Sequence, residues 1–264
     1  MNDLIAQYTH ADEDSRLVRQ NIARMEFDTT THLMEKYIPQ GTQITEVGAA
    51  TGRYSLHYAA QGISVNAVEL VPDQVEILTR KSQEQQINLS IYESSATDLS
   101  FIDSDSQDVV LILGPFYHLQ KESDRQQAMA EAYRVLKPGG VVAVAYISRH
   151  FVAGLFAQHF PELITPDVLS ELSEQGLVSH EAADQFFRVG YFCTPEEIEQ
   201  RVQQPGFELL EHAATDGYGR YVSNGVNGFD ENTYQHWLEY HFTVCREPSL
   251  LGSSNHGLVI ARKR

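Results

Sequence analysis

Between residues 43 and 148, short apolar runs alternate with longer segments whose apolar residues recur at helical spacing. The short runs have the length of β-strands: QITEVG, ISVNAVEL, INLSIYES, DVVLILG and GVVAVAYI. The intervening segments predict amphipathic helices: RYSLHYAAQG, PDQVEILTRKSQEQQ and SDRQQAMAEAYRVLKPGG. Such alternation predicts a mostly parallel sheet that is covered by helices on both faces.

The pattern changes on either side of this region. Residues 1–40 predict helices at the N-terminus, and residues 150–190 predict short helices rich in Phe. Residues 217–229 form a Gly- and Asn-rich stretch that predicts a loop, and residues 231–246 predict another helix. Three further segments predict a capped helix and two strands: TPEEIEQRV, FELLEHAATDG and HGLVIARK.

The charge balance limits the partners that the chain can have. The sequence has 264 residues, with 36 Asp and Glu against 19 Lys and Arg, and a net charge of −17. This charge disfavours binding to nucleic acid or to an acidic membrane surface, because both require clustered cations. Cys193 and Cys245 are isolated, so neither a disulfide framework nor a zinc site is indicated, and we expect no metal.

Two further features concern the location of the protein. The first residues, MNDLIAQYTHADEDSR, lack the cationic and apolar regions of a secretory signal. The longest apolar stretch, GGVVAVAYI, is too short to cross a bilayer. We therefore expect a soluble cytoplasmic protein.

The stretch ITEVGAATG places a carboxylate and several small residues at the end of a predicted strand. Small residues there let the backbone approach a ligand closely. A dinucleotide-binding loop would need three glycines, but Ala50 and Arg53 occupy two of the positions. The pattern acid-x-G-x-G-x-G is matched by Glu46, Gly48 and Gly52, with Ala50 as the one departure. The stretch therefore resembles the first motif of class I S-adenosylmethionine-dependent methyltransferases.

A second element indicates a ligand that contains adenosine. Glu69 closes the strand ISVNAVEL, where a carboxylate can accept hydrogen bonds from both hydroxyls of a ribose. Enzymes that bind NAD share this feature, so it does not separate the two classes of protein. The adjacent Leu70 and Val71 are placed to pack on the adenine. In SSATDLSF, the resemblance implies that Asp98 lies near the adenine amino group, with the backbone of Ala96 and Thr97 at the ring edge.

The residues GPFYHL follow the fourth predicted strand, at the edge where ligands bind in open α/β sheets. Gly114 can offer its carbonyl to the ammonium group of the cofactor. His118 is the candidate general base, since an imidazole takes up a proton near neutral pH; the alternative is a histidine that only packs there.

Near the N-terminus, one arginine can pair with the carboxylate of the cofactor or with an acidic substrate. The candidates are Arg16, Arg19 and Arg24. The alternative for each of them is a place on a solvated helix face.

The resemblance runs from TEVGAATG to VAYI and implies a fold for the whole chain. That fold is an α/β, Rossmann-like seven-stranded sheet, mostly parallel with an antiparallel last strand, with helices on both faces and a helical cap insertion. We expect a single methyltransferase domain over residues 1–264, with N-terminal helices in residues 1–40. Residues 150–190 and 217–252 would form the cap on the substrate side, and His256 would lie near the edge of the site.

The resemblance also implies a cofactor and an activity. The cofactor is S-adenosyl-L-methionine, and the activity is methyl transfer to a small-molecule acceptor whose nucleophile is oxygen, nitrogen or sulfur. Three rival functions stay open: a methyltransferase of RNA or protein, a nicotinamide-dependent dehydrogenase, and a non-catalytic regulator that binds S-adenosylmethionine. The charge balance argues against RNA, and the missing glycines argue against the dehydrogenase.

Overall fold

A seven-stranded sheet forms the centre of the molecule. The computed structural model of the chain describes residues 2–181, 186–187 and 189–264. The strand order is β3-β2-β1-β4-β5-β7-β6, in which β7 is antiparallel to both of its neighbours and β1 to β5 pair in parallel. The fold class that the sequence predicts is therefore confirmed. The strands are β1 Gln43–Val47, β2 Ser64–Glu69, β3 Ser90–Glu93, β4 Gln107–Ile112, β5 Leu136–Ile147, β6 Phe207–Ala214 and β7 His256–Lys263.

Twelve α-helices are present in the part of the chain that the structure describes. They are α1 Asn2–Tyr8, α2 Glu13–Arg16, α3 Asn21–Met34, α4 Arg53–Ala60, α5 Pro72–Glu84, α6 Glu122–Val135, α7 Arg149–His159, α8 Pro166–Gln175, α9 Pro195–Gln203, α10 Ser223–Asn227, α11 Glu231–Val244 and α12 Pro248–Leu251. The capped helix that TPEEIEQRV predicts is α9, where the side chains of Thr194 and Glu197 form a reciprocal capping box. None of the described helices is both long and apolar enough to cross a membrane.

Alternating side chains of the strands pack against helices on opposite faces of the sheet. Leu111 of β4 belongs to the same buried cluster as Tyr58 of α4, whereas the next residue, Ile112, belongs to a cluster with Met129 of α6. Each of these residues is almost completely buried. The continuous apolar runs of the sequence thus arise because helices exclude water from both faces of the sheet.

One stretch that the sequence predicts as a loop is partly helical. Residues 217–229 include a short 3-10 turn at Gly219–Val222 and helix α10. Val226 is buried in a cluster with residues of α3, and the side-chain amide of Asn21 donates hydrogen bonds to the carbonyls of Val226 and Phe229. These tertiary contacts override the low helix propensity of a Gly- and Asn-rich stretch.

The topology brings several chain segments to one edge of the sheet. Because β1 to β5 are parallel, their carboxyl ends lie at the same edge. Strand β7 runs the other way, and its register pairs His256 with Ile147, the last residue of β5. The first residue of β7 therefore reaches the edge at which β4 and β5 end.

The single-domain and cap assignments stay predictions. Helices α7 and α8 occupy much of residues 150–190, and α10 to α12 occupy much of residues 217–252. Within the first of these ranges, residues 182–185 and 188 lie outside the described residues.

Candidate functional site

A cavity of about 350 Å³ opens at the carboxyl edge of the sheet. Its walls come from the loops after β1, β2, β3 and β4, from the N-terminal helices, from α7 and from the start of β7. This is the edge at which open α/β sheets bind their ligands. Eight of the residues that the sequence predicts line it: Glu46, Gly48, Ala50, Glu69, Leu70, Ala96, Gly114 and His118.

The loop after β1 is shaped by residues with positive φ. Gly48 and Gly52 have φ values of 75° and 86°, and Ala50 adopts 46°. The amides of Gly48 and Ala49 both donate to the carbonyl of Val68, which ties the loop to the end of β2. Gly52 itself does not line the cavity: it caps α4, and a Cβ there would lie 2.1 Å from Cδ1 of Leu78. A glycine is required at position 52 because the loop after β1 packs closely against α5.

Glu69 joins the loops after β1 and β2. Its Oε2 accepts a hydrogen bond from the amide of Ala50 at 2.8 Å, and its Oε1 accepts from the amides of Leu70 and Val71 at 2.8 Å each. Burial raises the pKa of this carboxyl, although the three amides favour its ionised form. With about four lone-pair sites on a carboxylate, these bonds leave one acceptor site, on Oε2. The carboxylate is therefore preorganised to accept one further hydrogen bond.

Glu46 lies below the same loop and is almost fully buried. The hydroxyl of Ser55 donates a hydrogen bond to its Oε2. Burial raises the pKa of Glu46 to about 8, and the neighbouring charge of Glu69 acts in the same direction. The carboxyl is consequently protonated over most of the neutral range when no cation is close.

Two residues after β3 do not lie where the sequence places them. Asp98 is exposed and outside the cavity lining, and its Oδ1 accepts from the amide of Ser100 at 3.1 Å. Thr97 also lies outside the lining, and its hydroxyl lies 3.0 Å from that of Ser95. The chain turns before it reaches Asp98, so Ser94, Ser95 and Ala96 face the cavity instead.

His118 is held at both ring nitrogens. Its Nε2 lies 2.8 Å from the hydroxyl of Tyr8, and its Nδ1 lies 2.7 Å from the carbonyl of Val189. The ring also stacks on Phe187 at a centroid distance of 4.9 Å. Burial lowers the pKa of His118 to about 4, so the ring is neutral at neutral pH. A carbonyl needs a donor, which places the proton on Nδ1 and makes Nε2 the acceptor of the Tyr8 hydroxyl.

Comparison with known proteins identifies the central part of the chain. A family model described as a methyltransferase domain matches residues 45–144. Residues 45–144 therefore form a methyltransferase domain. S-adenosylmethionine is the cofactor that this family and fold imply.

Two relatives and one solved structure are similar to this chain. A ubiquinone/menaquinone biosynthesis C-methyltransferase of Geotalea daltonii is 30% identical over 47% of this chain and 54% of that protein. A ubiquinone biosynthesis O-methyltransferase of Coxiella burnetii is 24% identical over 67% of this chain and 70% of that protein. The chain spans about half the length of the first curated relatives that it matches.

The structural comparison supports the fold over a longer part of the chain. An S-adenosylmethionine-dependent methyltransferase of Methanosarcina mazei superposes with a TM-score of 0.61 and 16% identity. The match covers 88% of this chain and 96% of that protein. At this level of identity the likeness establishes the fold, which here extends well beyond the matched methyltransferase domain.

Segments outside residues 45–144 complete the cavity. Arg16 and Arg19 line it, whereas Arg24 does not and instead binds Glu231, with an Nη1–Oε2 distance of 2.8 Å. Tyr8 also lines the cavity, although sequence reasoning missed it. No motif marks this tyrosine, because its contact with His118 joins residues that are far apart in the sequence.

One set of residues in the cavity wall is apolar. It is formed by side chains from β5, α7 and the segment before α9: Ile147, Val152, Leu155, Phe186, Phe187 and Phe192. These residues lie beyond the methyltransferase family match. Within the described residues, no group of three or more His, Cys, Asp or Glu side chains is arranged to hold a metal ion.

Proposed function

We propose that this protein transfers a methyl group from S-adenosylmethionine to a small-molecule acceptor. The observation that carries the proposal is one cavity whose lining combines the carboxyl groups of Glu46 and Glu69 with a set of Phe and aliphatic side chains. Ligand sites typically combine an apolar wall with a few fixed polar groups. The ubiquinone methyltransferases among the relatives are named for small-molecule biosynthesis, which supports an acceptor of this class.

The residues present fit an adenosyl cofactor. The free acceptor site of Glu69 suits a ribose hydroxyl, and the side chains of Leu70 and Ala96 flank the space for the adenine. The carbonyl of Gly114 and the carboxyl of Glu46 lie on the side where a cationic methionine end would be accommodated. Thr97 and Asp98 are left out of this assignment because they lie outside the lining.

Methyl transfer places modest chemical demands on the protein. The bound cofactor supplies a methyl carbon that is activated by a positive sulfur. The chain must hold the acceptor in line with that carbon and keep water out of the cavity. The contact between Tyr8 and His118 supports this role, since it joins α1 to the turn after β4 and both residues line the cavity. We therefore propose that His118 positions the N-terminal segment; its role as a general base stays a prediction.

The proposal is tested with radiolabelled S-adenosylmethionine and a panel of small hydroxyl, amine and thiol acceptors. Calorimetry with S-adenosylmethionine and with NAD identifies the cofactor. Label transferred to a small acceptor supports the proposal, whereas label transferred only to RNA or protein contradicts it. Cofactor binding without turnover across the panel would favour a non-catalytic regulator.

The carboxyl of Glu46 should release a proton when S-adenosylmethionine binds. Its pKa of about 8 leaves it protonated at neutral pH, and a nearby cation favours the ionised form. We expect up to about one proton released per ligand at neutral pH, and an affinity that rises with pH until the carboxyl is ionised without ligand. Calorimetry in buffers with different ionisation enthalpies measures the protons. The isosteric Glu46→Gln variant should release fewer, and equal release from both proteins would contradict the assignment.

Removal of the Tyr8 hydroxyl should loosen the N-terminal segment. The Tyr8→Phe variant loses the 2.8 Å hydrogen bond to His118, which is worth about 1 kcal/mol, so we expect the cofactor to dissociate about two- to tenfold faster. Stopped-flow measurement of S-adenosylhomocysteine release tests this. Tyr37→Phe is the matched control, because the hydroxyl of Tyr37 binds Glu211 outside the cavity. An unchanged release rate in Tyr8→Phe would show that this contact does not hold the cofactor in the cavity.

A further inference from the structure

Two buried carboxylates hold the ring of His256 at the edge of the cavity. Oδ2 of Asp216 lies 3.3 Å from Nδ1 of His256, and Oε2 of Glu26 lies 3.2 Å from the same nitrogen. The side chains of Asp216 and Glu26 are 0% and 5% exposed. Ser254 anchors Asp216 further, since its hydroxyl donates to Oδ1 at 2.6 Å. These contacts at Nδ1 therefore fix the orientation of the imidazole.

The surroundings of the ring determine which nitrogen carries the proton. Oδ2 of Asp216 accepts a hydrogen bond and therefore requires a donor at Nδ1, and the negative charge of Glu26 beside the same nitrogen favours this. The side-chain amide nitrogen of Asn255, at 3.1 Å, is the one neighbour that would favour the opposite arrangement. The proton of the neutral ring accordingly lies on Nδ1. The Nε2 atom of His256 has no hydrogen-bond partner among the described residues and keeps accessible surface, and the residue lines the cavity. An unprotonated nitrogen is thus available to a ligand.

Paired charged groups lie next to His256. They are three carboxylates and two guanidinium groups: Glu13, Glu26, Asp216, Arg16 and Arg220. Arg16 pairs with Glu26 at 3.1 Å, and Arg220 pairs with Asp216 at 3.0 Å. Although burial opposes it, the hydrogen bond from His256 and the charge of Arg220 hold the pKa of Asp216 well below its usual range. The charged groups beside His256 are therefore paired with one another.

His256 lies at the carboxyl edge of the sheet and lines the cavity. It pairs with Ile147 at the carboxyl end of β5, beside the end of β4 from which Gly114 follows. Its partner Ile147 belongs to the apolar wall of the cavity, together with Phe186 and Phe187. In contrast, His118 already uses both of its nitrogens.

We propose that His256 is the general base of this methyl transfer and that it deprotonates a hydroxyl group carried on an apolar ring. The inference rests on the proposed function. The acceptor hydroxyl gives its proton to Nε2, and its oxygen forms a bond to the methyl carbon while the carbon–sulfur bond breaks and leaves its electron pair on sulfur. The proton then leaves His256 for solvent. Asp216 and Glu26 are positioning residues, which fix the tautomer and balance the imidazolium charge.

The tautomer can be measured without turnover. Protein labelled with nitrogen-15 histidine and loaded with S-adenosylhomocysteine is studied by NMR at mildly alkaline pH, and the His256 signals are assigned by their loss in His256→Asn. We expect a proton on Nδ1 and none on Nε2, and a weaker preference in Asp216→Asn. A proton on Nε2 of the wild-type ring would overturn the proposal, because that nitrogen could not act as a base.

The second measurement compares phenol with thiophenol, which share a ring but differ in acidity. We expect His256→Asn to lower kcat for phenol methylation by about 10²- to 10⁴-fold, with a much smaller loss for thiophenol, since a thiol ionises without a base. The KM for S-adenosylmethionine should stay close to that of the wild type. Equal losses on both acceptors would indicate a structural role and overturn the proposal, as would a wild type that methylates thiophenol but not phenol.

His212 offers a matched control outside the cavity. Its Nδ1 also binds a carboxylate, Oε1 of Glu199 at 2.7 Å, but its Nε2 binds the hydroxyl of Tyr146 and the residue does not line the cavity. His212→Asn should therefore keep the phenol rate. Failure of wild-type protein to bind S-adenosylmethionine would refute the proposed function itself, whereas binding and turnover that survive His256→Asn on phenol would refute only the base.

Discussion

Glu69→Ala should weaken binding of S-adenosylmethionine by about 10- to 100-fold, the cost of one hydrogen bond to a charged group, about 1.5–3 kcal/mol. The carboxylate accepts from the amides of Ala50, Leu70 and Val71, so its removal also leaves three donors without their partner. Both loops that flank the cofactor space would lose their common anchor. Calorimetric titration with S-adenosylmethionine measures the affinity, and a urea titration measures stability.

A second variant separates binding from folding. Glu69→Gln keeps the shape of the side chain and one acceptor oxygen, so we expect it to remain folded and still to bind more weakly than the wild type. Glu93→Ala is the control: Glu93 pairs in register with Glu69 at the end of β3, but it is exposed and lies outside the cavity lining. If Glu69→Gln and Glu93→Ala both bound the cofactor as well as the wild type, the assignment of this pocket would be wrong.

The sequence predicts the parts of the structure that depend on local pattern. The strands and helices follow from apolar periodicity, and the loop after β1 follows from its small residues. Glu69 is recognisable because a carboxylate at a buried strand end is unusual without a partner. In the structure its partners are three backbone amides. The fold was therefore predictable, and so was the chemical character of the β1 and β2 loops.

The rest of the site depends on contacts that no local pattern contains. Asp98 follows the third strand and is predicted to lie near the adenine amino group. In the structure the backbone brings Ser95 and Ala96 to the cavity and leaves Asp98 in solvent. Tyr8 reaches His118 across 110 positions of sequence. The carboxylates beside His256 come from α3 and from the segment after β6, so only the folded chain brings them together.

The close approach of two loops makes Gly48 the most sensitive small residue of the site. Gly48 has a φ of 75°, and a Cβ there would lie 2.5 Å from Cγ and Cδ of Pro115, the first residue of the turn that carries His118. A side chain at this position would therefore strain the backbone and push apart the loops after β1 and β4. We expect Gly48→Ala to lower the free energy of unfolding by about 2–5 kcal/mol, from the left-handed backbone and from overpacking together.

Gly41 provides the matched control for this substitution. Its φ is 88°, but a Cβ would meet no atom within 4 Å, so Gly41→Ala incurs the backbone strain alone, about 1–2 kcal/mol. Urea titrations of the two variants isolate the effect of the contact with Pro115. Calorimetry on the Gly48→Ala protein that remains folded should show loss of S-adenosylmethionine affinity, because Gly48 and Gly114 both line the cavity. Equal stability and unimpaired binding in both variants would show that the loops after β1 and β4 can separate without cost. The positioning of cofactor and acceptor would then not depend on a rigid contact between these loops.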